Sequence, residues 1–188
     1  PKPTSTPVPK PTSAPAPAGY KVGPTVKQQK TNGYYKVTSA QTVEYLSPVN
    51  KKAGTVVIPD SVNLNGANYK VTSVGTKAFK NNKYLKKLTV GNNVVQIKSY
   101  AFYKCTKLNT VKIGKAVQYI GKQSFYGCKK ISTMRIYTSR LKQKNIGSSA
   151  FKGTPSRMKV YVPKKLSKNY KTILVKRGMS KSIVIKKL

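Results

Sequence analysis

The chain has 188 residues and a mass of 20.7 kDa, enough for one domain of ordinary size. It carries 38 Lys and Arg against 2 Asp and Glu, a formal charge of +36 with no His and no Trp, where small soluble domains usually sit at roughly 2 to 8. Glu44 and Asp60 are the only carboxylate side chains, which nearly removes paired-carboxylate glycosidases, Ser-His-Asp and Cys-His nucleophiles and His- or carboxylate-based metal sites, and leaves a binding or structural module with no catalytic residue, metal or cofactor.

The chain starts at Pro1 without Met, a basic n-region or an apolar h-region. The start reads as a cut inside a longer chain, with any signal peptide or partner domain upstream. The sequence contains no 18-residue apolar run, so no membrane span is expected. Residues 1–31 read as a linker. Eight of the twelve prolines fall in the first 24 residues, among Thr, Ser and Ala. Such a stretch has little to bury against its ordering entropy and favours extended polyproline geometry. A mucin-like stalk and a ligand for a proline-reading domain share this composition.

The pattern changes at Asn32, and residues 32–188 read as one domain. Tyr34–Thr38 and Thr42–Leu46 are strand-like runs around Ser39-Ala40-Gln41, a hairpin signal. Thr55–Ile58 is a strand closed by Pro59-Asp60, and Asn65-Gly66 marks a tight turn before Tyr69-Lys70-Val71. An internal repeat follows. All four Phe residues share one motif, Ala78-Phe79, Ala101-Phe102, Ser124-Phe125 and Ala150-Phe151, at spacings of 23, 23 and 26. An aliphatic pair precedes each: Val71/Val74, Val94/Ile97, Val117/Ile120 and Leu141/Ile146. Apolar triplets follow the first three: Leu85, Leu88, Val90; then Leu108, Val111, Ile113; then Ile131, Met134, Ile136. The fourth closes more loosely with Met158, Val160 and Val162, and Val56 and Ile58 read as an incomplete earlier repeat. One such unit cannot bury its own apolar side, whereas stacked units share a continuous core, so the period specifies a solenoid.

The run Ala101-Phe102-Tyr103-Lys104-Cys105-Thr106-Lys107-Leu108-Asn109-Thr110-Val111-Lys112-Ile113 resembles the BspA-type leucine-rich repeat of bacterial surface proteins. Ser124-Phe125-Tyr126-Gly127-Cys128, Val74-Gly75 before Ala78-Phe79, Ile58-Pro59 and Val162-Pro163 carry the same likeness, which covers about residues 53–163. The chain departs from the pattern at Asn82 and Thr154, where Cys is common, and at Lys98, which replaces the usual Gly. The last full repeat is also longer, and Pro is missing after Val90, Ile113 and Ile136. The resemblance implies an α+β solenoid: a short right-handed leucine-rich repeat coil with a parallel sheet on one face. It implies an extracellular or surface-attached protein of a bacterium, Gram-positive in this reading, used in adhesion or binding. It supplies no catalytic residue.

Solenoids need capped ends. A β-hairpin over about 32–52 is the expected N-terminal cap. The C-terminal cap is expected over 164–188. It comprises a helix with apolar residues at Leu166, Tyr170, Ile173 and Leu174, a stop at Gly178, and a strand over Ser182–Lys186. A membrane-surface helix is the competing reading of this basic amphipathic stretch. Cys105 and Cys128 occupy one slot in consecutive repeats. With parallel strands ~4.8 Å apart they should be neighbours. A disulfide is sterically conceivable, and free buried thiols are the other outcome. Two thiols alone make a poor zinc site.

Thirty of the cations lie between residues 61 and 188, where no acid occurs, and Lys outnumbers Arg 34 to 4. Such a surface repels itself and attracts polyanions. Lys, a mobile hydrated point charge, suits diffuse contact with a flexible polymer better than shaped readout of one phosphate. In each strand the apolar residues face the core, so Thr55/Val57, Lys87/Thr89, Thr110/Lys112, Thr133/Arg135 and Lys159/Tyr161 are expected to form two outward columns, with Tyr137 at the next outward position. Lys112 and Arg135 would be stacked like charges that a bound anion relieves, with Tyr137 and Tyr161 available to stack on sugar rings. The candidate ligand-binding residues are Lys87, Thr89, Lys112, Arg135, Tyr137, Lys159 and Tyr161. The expected partner is an anionic polysaccharide, the wall teichoic acid of the producing cell or an acidic host glycan. A host surface protein bound on the sheet and a passive display stalk are the alternatives. Nucleic acid is expected to bind only non-specifically, and the chain is expected to be a monomer.

Overall fold

The computed structural model describes Gly23 and residues 25–188. The proline-rich run of the expected linker, residues 1–22, lies outside the described residues. The chain enters through β1 (Thr25–Gln28), β2 (Gly33–Ser39) and β3 (Thr42–Ser47), followed by β4 (Thr55–Ile58), β5 (Ser61–Leu64) and β6 (Ala67–Val74). The repeats contribute β7 (Lys87–Val90), β8 (Gln96–Ile97), β9 (Thr110–Ile113), β10 (Tyr119–Ile120), β11 (Thr133–Ile136) and β12 (Lys159–Val162). Helix α1 (Ser167–Lys176) and β13 (Val184–Lys187) close the chain.

Each repeat strand alternates polar and apolar residues, and a strand sends successive side chains to opposite faces. The strands therefore stack with all apolar residues inward. β4, β7, β9, β11, β12 and β13 form a six-stranded sheet in that order, every pair parallel and without a register slip. Leu88, Val90, Val111, Ile113, Met134 and Ile136 are buried beneath it.

Each coil also has a Phe corner, which stacks on the corner of the next coil. Lys77, Tyr100, Gln123 and Ser149 precede the Ala-Phe or Ser-Phe pair with φ between 51° and 61°. This left-handed geometry costs a non-Gly residue roughly 1–2 kcal/mol. Stacking holds it: the amide of Phe79 donates to Ala101 (2.6 Å), that of Phe102 to Ser124 (2.8 Å), and that of Phe125 to Ala150 (2.8 Å). The four Phe rings form one column, with successive centroids 5.1, 5.0 and 5.7 Å apart and planes within 20° of parallel. The common row expected of a stacked coil is therefore present.

The column continues into the N-terminal cap, where Tyr45 stacks on Phe79 at 5.7 Å and Tyr35 meets Tyr45 edge-on. β2 and β3 form the expected antiparallel hairpin, and β3 pairs in parallel with β6. The Asn65-Gly66 turn has φ of 50° and 87°, and it joins β5 to β6 as a second hairpin. Within the stretch read as linker, residues 25–28 form a strand. Thr25–Gln28 pair antiparallel with β2, and Val26 packs against the core, because the edge of β2 offers hydrogen bonds that local composition does not reveal. A second ladder has no counterpart in the repeat pattern: β6, β8 and β10 pair in parallel, and the Ile120–Ile146 bridge extends them. The solenoid thus carries sheet on two sides.

At the C-terminal end a single 3-10 turn (Lys164–Leu166) leads into α1, which buries Tyr170, Ile173 and Leu174. Gly178 stops the helix at φ +106°, where a Cβ would also sit 2.7 Å from the Lys152 amide. The carbonyl of Arg177 accepts from the Phe151 amide at 3.1 Å, so the helix end stands in for the next coil. The longer last repeat bulges into a 3-10 turn at Gln143–Asn145, and the Arg177 guanidinium holds it by donating to Gln143 O at 2.7 Å.

Candidate ligand-binding site

The parallel register places Thr55, Lys87, Thr110, Thr133 and Lys159 in one outward column of the six-stranded sheet. Val57, Thr89, Lys112, Arg135 and Tyr161 form the second, and Lys186 of β13 extends it. Lys87, Lys112 and Lys159 are exposed, and Thr89, Arg135 and Tyr161 are half-buried. Tyr137 sits just beyond β11, 38% exposed, its amide donating to Ile113 O. The geometry adds two facts. The Arg135 guanidinium lies over the Tyr161 ring, 4.0 Å from its centroid. This cation–π contact occupies one face of that ring and draws Arg135 toward β12, while the register keeps Lys112 beside Arg135 on the other side. Tyr161 therefore offers less stacking surface than its place in the sequence suggests, and Tyr137 is the more open ring.

At the other end of the same strands, Lys86, Lys87, Lys107 and Lys130 surround a cleft of about 320 Å³ with Asn109 at its base. Asn109 is tied down: its Nδ2 donates to Lys130 O at 3.2 Å and its Oδ1 accepts from Ser132 Oγ at 3.0 Å. Of these lysines only Lys87 was singled out from the sequence. Lys107 and Lys130 share one repeat slot, so aligning the repeats and reading down each column would have found them. Lys159 lines a separate depression of about 710 Å³ beside Arg157.

Of the two acids, Glu44 belongs to the other sheet, whereas Asp60 sits at the edge of this face beside Thr89, Lys112 and Tyr137. Glu44 is 8% exposed, accepts from Ser73 Oγ at 3.2 Å and is ion-paired with Lys98. Lys98 stands where neighbouring repeats have Gly75 and Gly121, and its long side chain serves to reach this cap carboxylate. Asp60 accepts from the Asn92 amide, and its other oxygen lies 3.5 Å from Asn92 Nδ2. Cys105 and Cys128 are free, buried thiols that donate to Phe79 O and Phe102 O, each at 3.1 Å. Burial pushes the Cys105 thiol up to about 12 and that of Cys128 well above the usual range. Thiols in this state are poor nucleophiles and poor metal ligands.

A model of the BspA type leucine rich repeat region matches residues 59–176 in six copies. The fold is similar to that of a leucine-rich repeat protein from Bacteroides capillosus ATCC 29799, with 25% identity and a TM-score of 0.55 over 63% of this chain and 87% of that one. It is also similar to a leucine-rich repeat protein from Bacteroides ovatus ATCC 8483, at 22% identity and a TM-score of 0.56 over 89% of this chain and 37% of that one. A leucine rich cell surface protein from Faecalibacterium prausnitzii A2-165 gives 21% identity and a TM-score of 0.54, covering 78% of this chain and 50% of that one. No curated protein matches the chain.

Proposed function

The chain belongs to the BspA-type leucine-rich repeat family, whose model covers residues 59–176, and from that premise we infer that it is a non-catalytic, surface-associated bacterial binding module whose ligand is an anionic polymer. The wall teichoic acid of a Gram-positive producing cell and the acidic glycans of a host both have the required chemistry. The surface location follows the family and the cell surface protein among its structural relatives.

One observation carries the ligand class. The repeat sheet and its loops collect lysines around Lys87, Lys112 and Lys130, while Glu44 is ion-paired with Lys98 and Asp60 is the one carboxylate beside them. The remaining counter-charge must come from outside the molecule. Binding to purified teichoic acid and to heparin across a salt series tests this. Affinity is expected to fall more than tenfold between about 50 and 200 mM salt, the effect of about three released counterions. Flat salt dependence on both polymers overturns the reading. Salt-tolerant capture of a host surface protein, abolished by Arg135→Ala but not by scattered Lys changes, would instead favour a protein-binding adhesin.

A further inference from the structure

The residue that follows each strand of the repeat sheet occupies one slot of the coil. Going across the sheet, that slot holds Pro59, Gly91, Gly114, Tyr137 and Pro163. The two glycines have a packing reason: a Cβ on Gly114 would lie 2.2 Å from the carbonyl oxygen of Gly91. Beside these buried glycines lies a trough. It is walled by Val57 and Pro59 on one side and by Tyr137 on the other, with a volume of about 540 Å³. Ligand pockets commonly fall between roughly 300 and 1,000 Å³. The trough crosses from β4 to β11, three strand spacings or about 14 Å.

Two of its walls are unusual for this surface. Val57 is 54% and Tyr137 38% exposed, among only six large apolar side chains exposed in the described residues. Packing does not demand Tyr137, since the same slot is glycine in the two preceding coils. Lys112 and Lys115 line the trough as well, and its one carboxylate, Asp60, is held by Asn92. An aromatic face, a second apolar wall and two cations converge on one space.

Resting on the anionic-polymer reading above, we propose that this trough binds an acidic pyranose unit of the polymer. The sugar ring packs against Tyr137 with its far side toward Val57 and Pro59, and the anionic substituent lies between Lys112 and Lys115. A carboxylate and a sulfate ester supply the same charge chemistry at that position. The ridge on the opposite side of the solenoid, where Tyr103 and Tyr126 lie 5.2 Å apart, does not compete as a sugar platform. Those rings stack face to face, and Lys80 and Lys104 cover Tyr103.

The test titrates the chain with four probes: an oligogalacturonate, a sulfated oligosaccharide of equal length, a neutral oligosaccharide and inorganic polyphosphate. At least one acidic oligosaccharide is expected to bind more tightly than the neutral one, and the stronger acidic arm identifies the anionic group. Tyr137→Gly, which installs the residue native to this slot, should weaken that oligosaccharide at least tenfold and leave polyphosphate unchanged. Tyr137→Phe should retain binding, and Lys112→Gln should reduce it without unfolding the chain. Equal affinity of Tyr137→Gly and the wild type for the acidic oligosaccharide overturns the proposal, as does equal loss of polyphosphate or equally tight neutral sugar. If no acidic oligosaccharide binds while teichoic acid or heparin still binds with a salt slope, the trough falls and the polymer reading stands. Absence of all salt-dependent binding removes both.

Discussion

Ser124 shows how closely single side chains are set by the stack. It occupies the slot that is Ala78, Ala101 and Ala150 in the other coils. It is fully buried, and its Oγ has no partner among the described residues. Burying a hydroxyl without a hydrogen bond costs about 1–3 kcal/mol. Ser124→Ala should therefore raise stability by about 1 kcal/mol, read as a higher denaturant midpoint with an unchanged m-value. The adjacent thiols set a pH limit. An ordinary thiol titrates near 8.5, whereas burial holds Cys105 up to about 12. The folded state thus keeps a proton that the unfolded chain releases. The thiol's contribution is complete below about pH 8.5 and is lost as pH climbs towards 12. Thermal melting followed from pH 8 to 11 should fall, and Cys105→Ala should flatten the slope.

Elements in this fold are held by their neighbours, and the N-terminal cap is the clearest case. The Lys98–Glu44 ion pair ties the cap strand β3 to the start of the second full coil. Lys98→Ala leaves the carboxylate buried with the Ser73 hydroxyl as its one side-chain donor among the described residues, and a loss of about 1–3 kcal/mol is expected. Adding Glu44→Gln should recover part of it, and a double-mutant cycle in urea measures the coupling. The same dependence explains what the sequence made legible. Repeat period, outward columns and the α1–Gly178–β13 cap were readable because each recurs or carries its own local signal. β8 and β10 were not, since two residues each give no periodicity and form only because the adjoining coil presents the partner backbone. β1 was hidden for a related reason: Thr-Val-Lys-Gln is too short to separate from the linker without the edge of β2. Among the site residues, Lys87, Lys112 and Arg135 followed from strand register. The trough did not, because Val57, Lys112, Lys115 and Tyr137 come from different coils and only the stack brings them around one space.

At the scale of the molecule, charge and architecture pull in different directions. Stacked coils share a core column that runs from Tyr45 through Phe151, while the cations of the described residues repel one another along it. Added salt should raise the melting temperature even as it weakens polymer binding, since screening relieves the self-repulsion. Opposite trends in a single salt titration would identify the charge as the common cause.

Among the described residues the six-stranded sheet runs from β4 at one border to β13 at the other, neither with a second strand beside it. β13 reads Val-Ile-Lys-Lys, with Lys186 and Lys187 exposed. Open borders of this kind are where identical molecules join into fibres, and lysine there works as a stopper. The stopper holds only while those ammonium groups stay unneutralised. A long polyanion threading several molecules would remove it and, at the same time, concentrate them, which favours joining edge to edge.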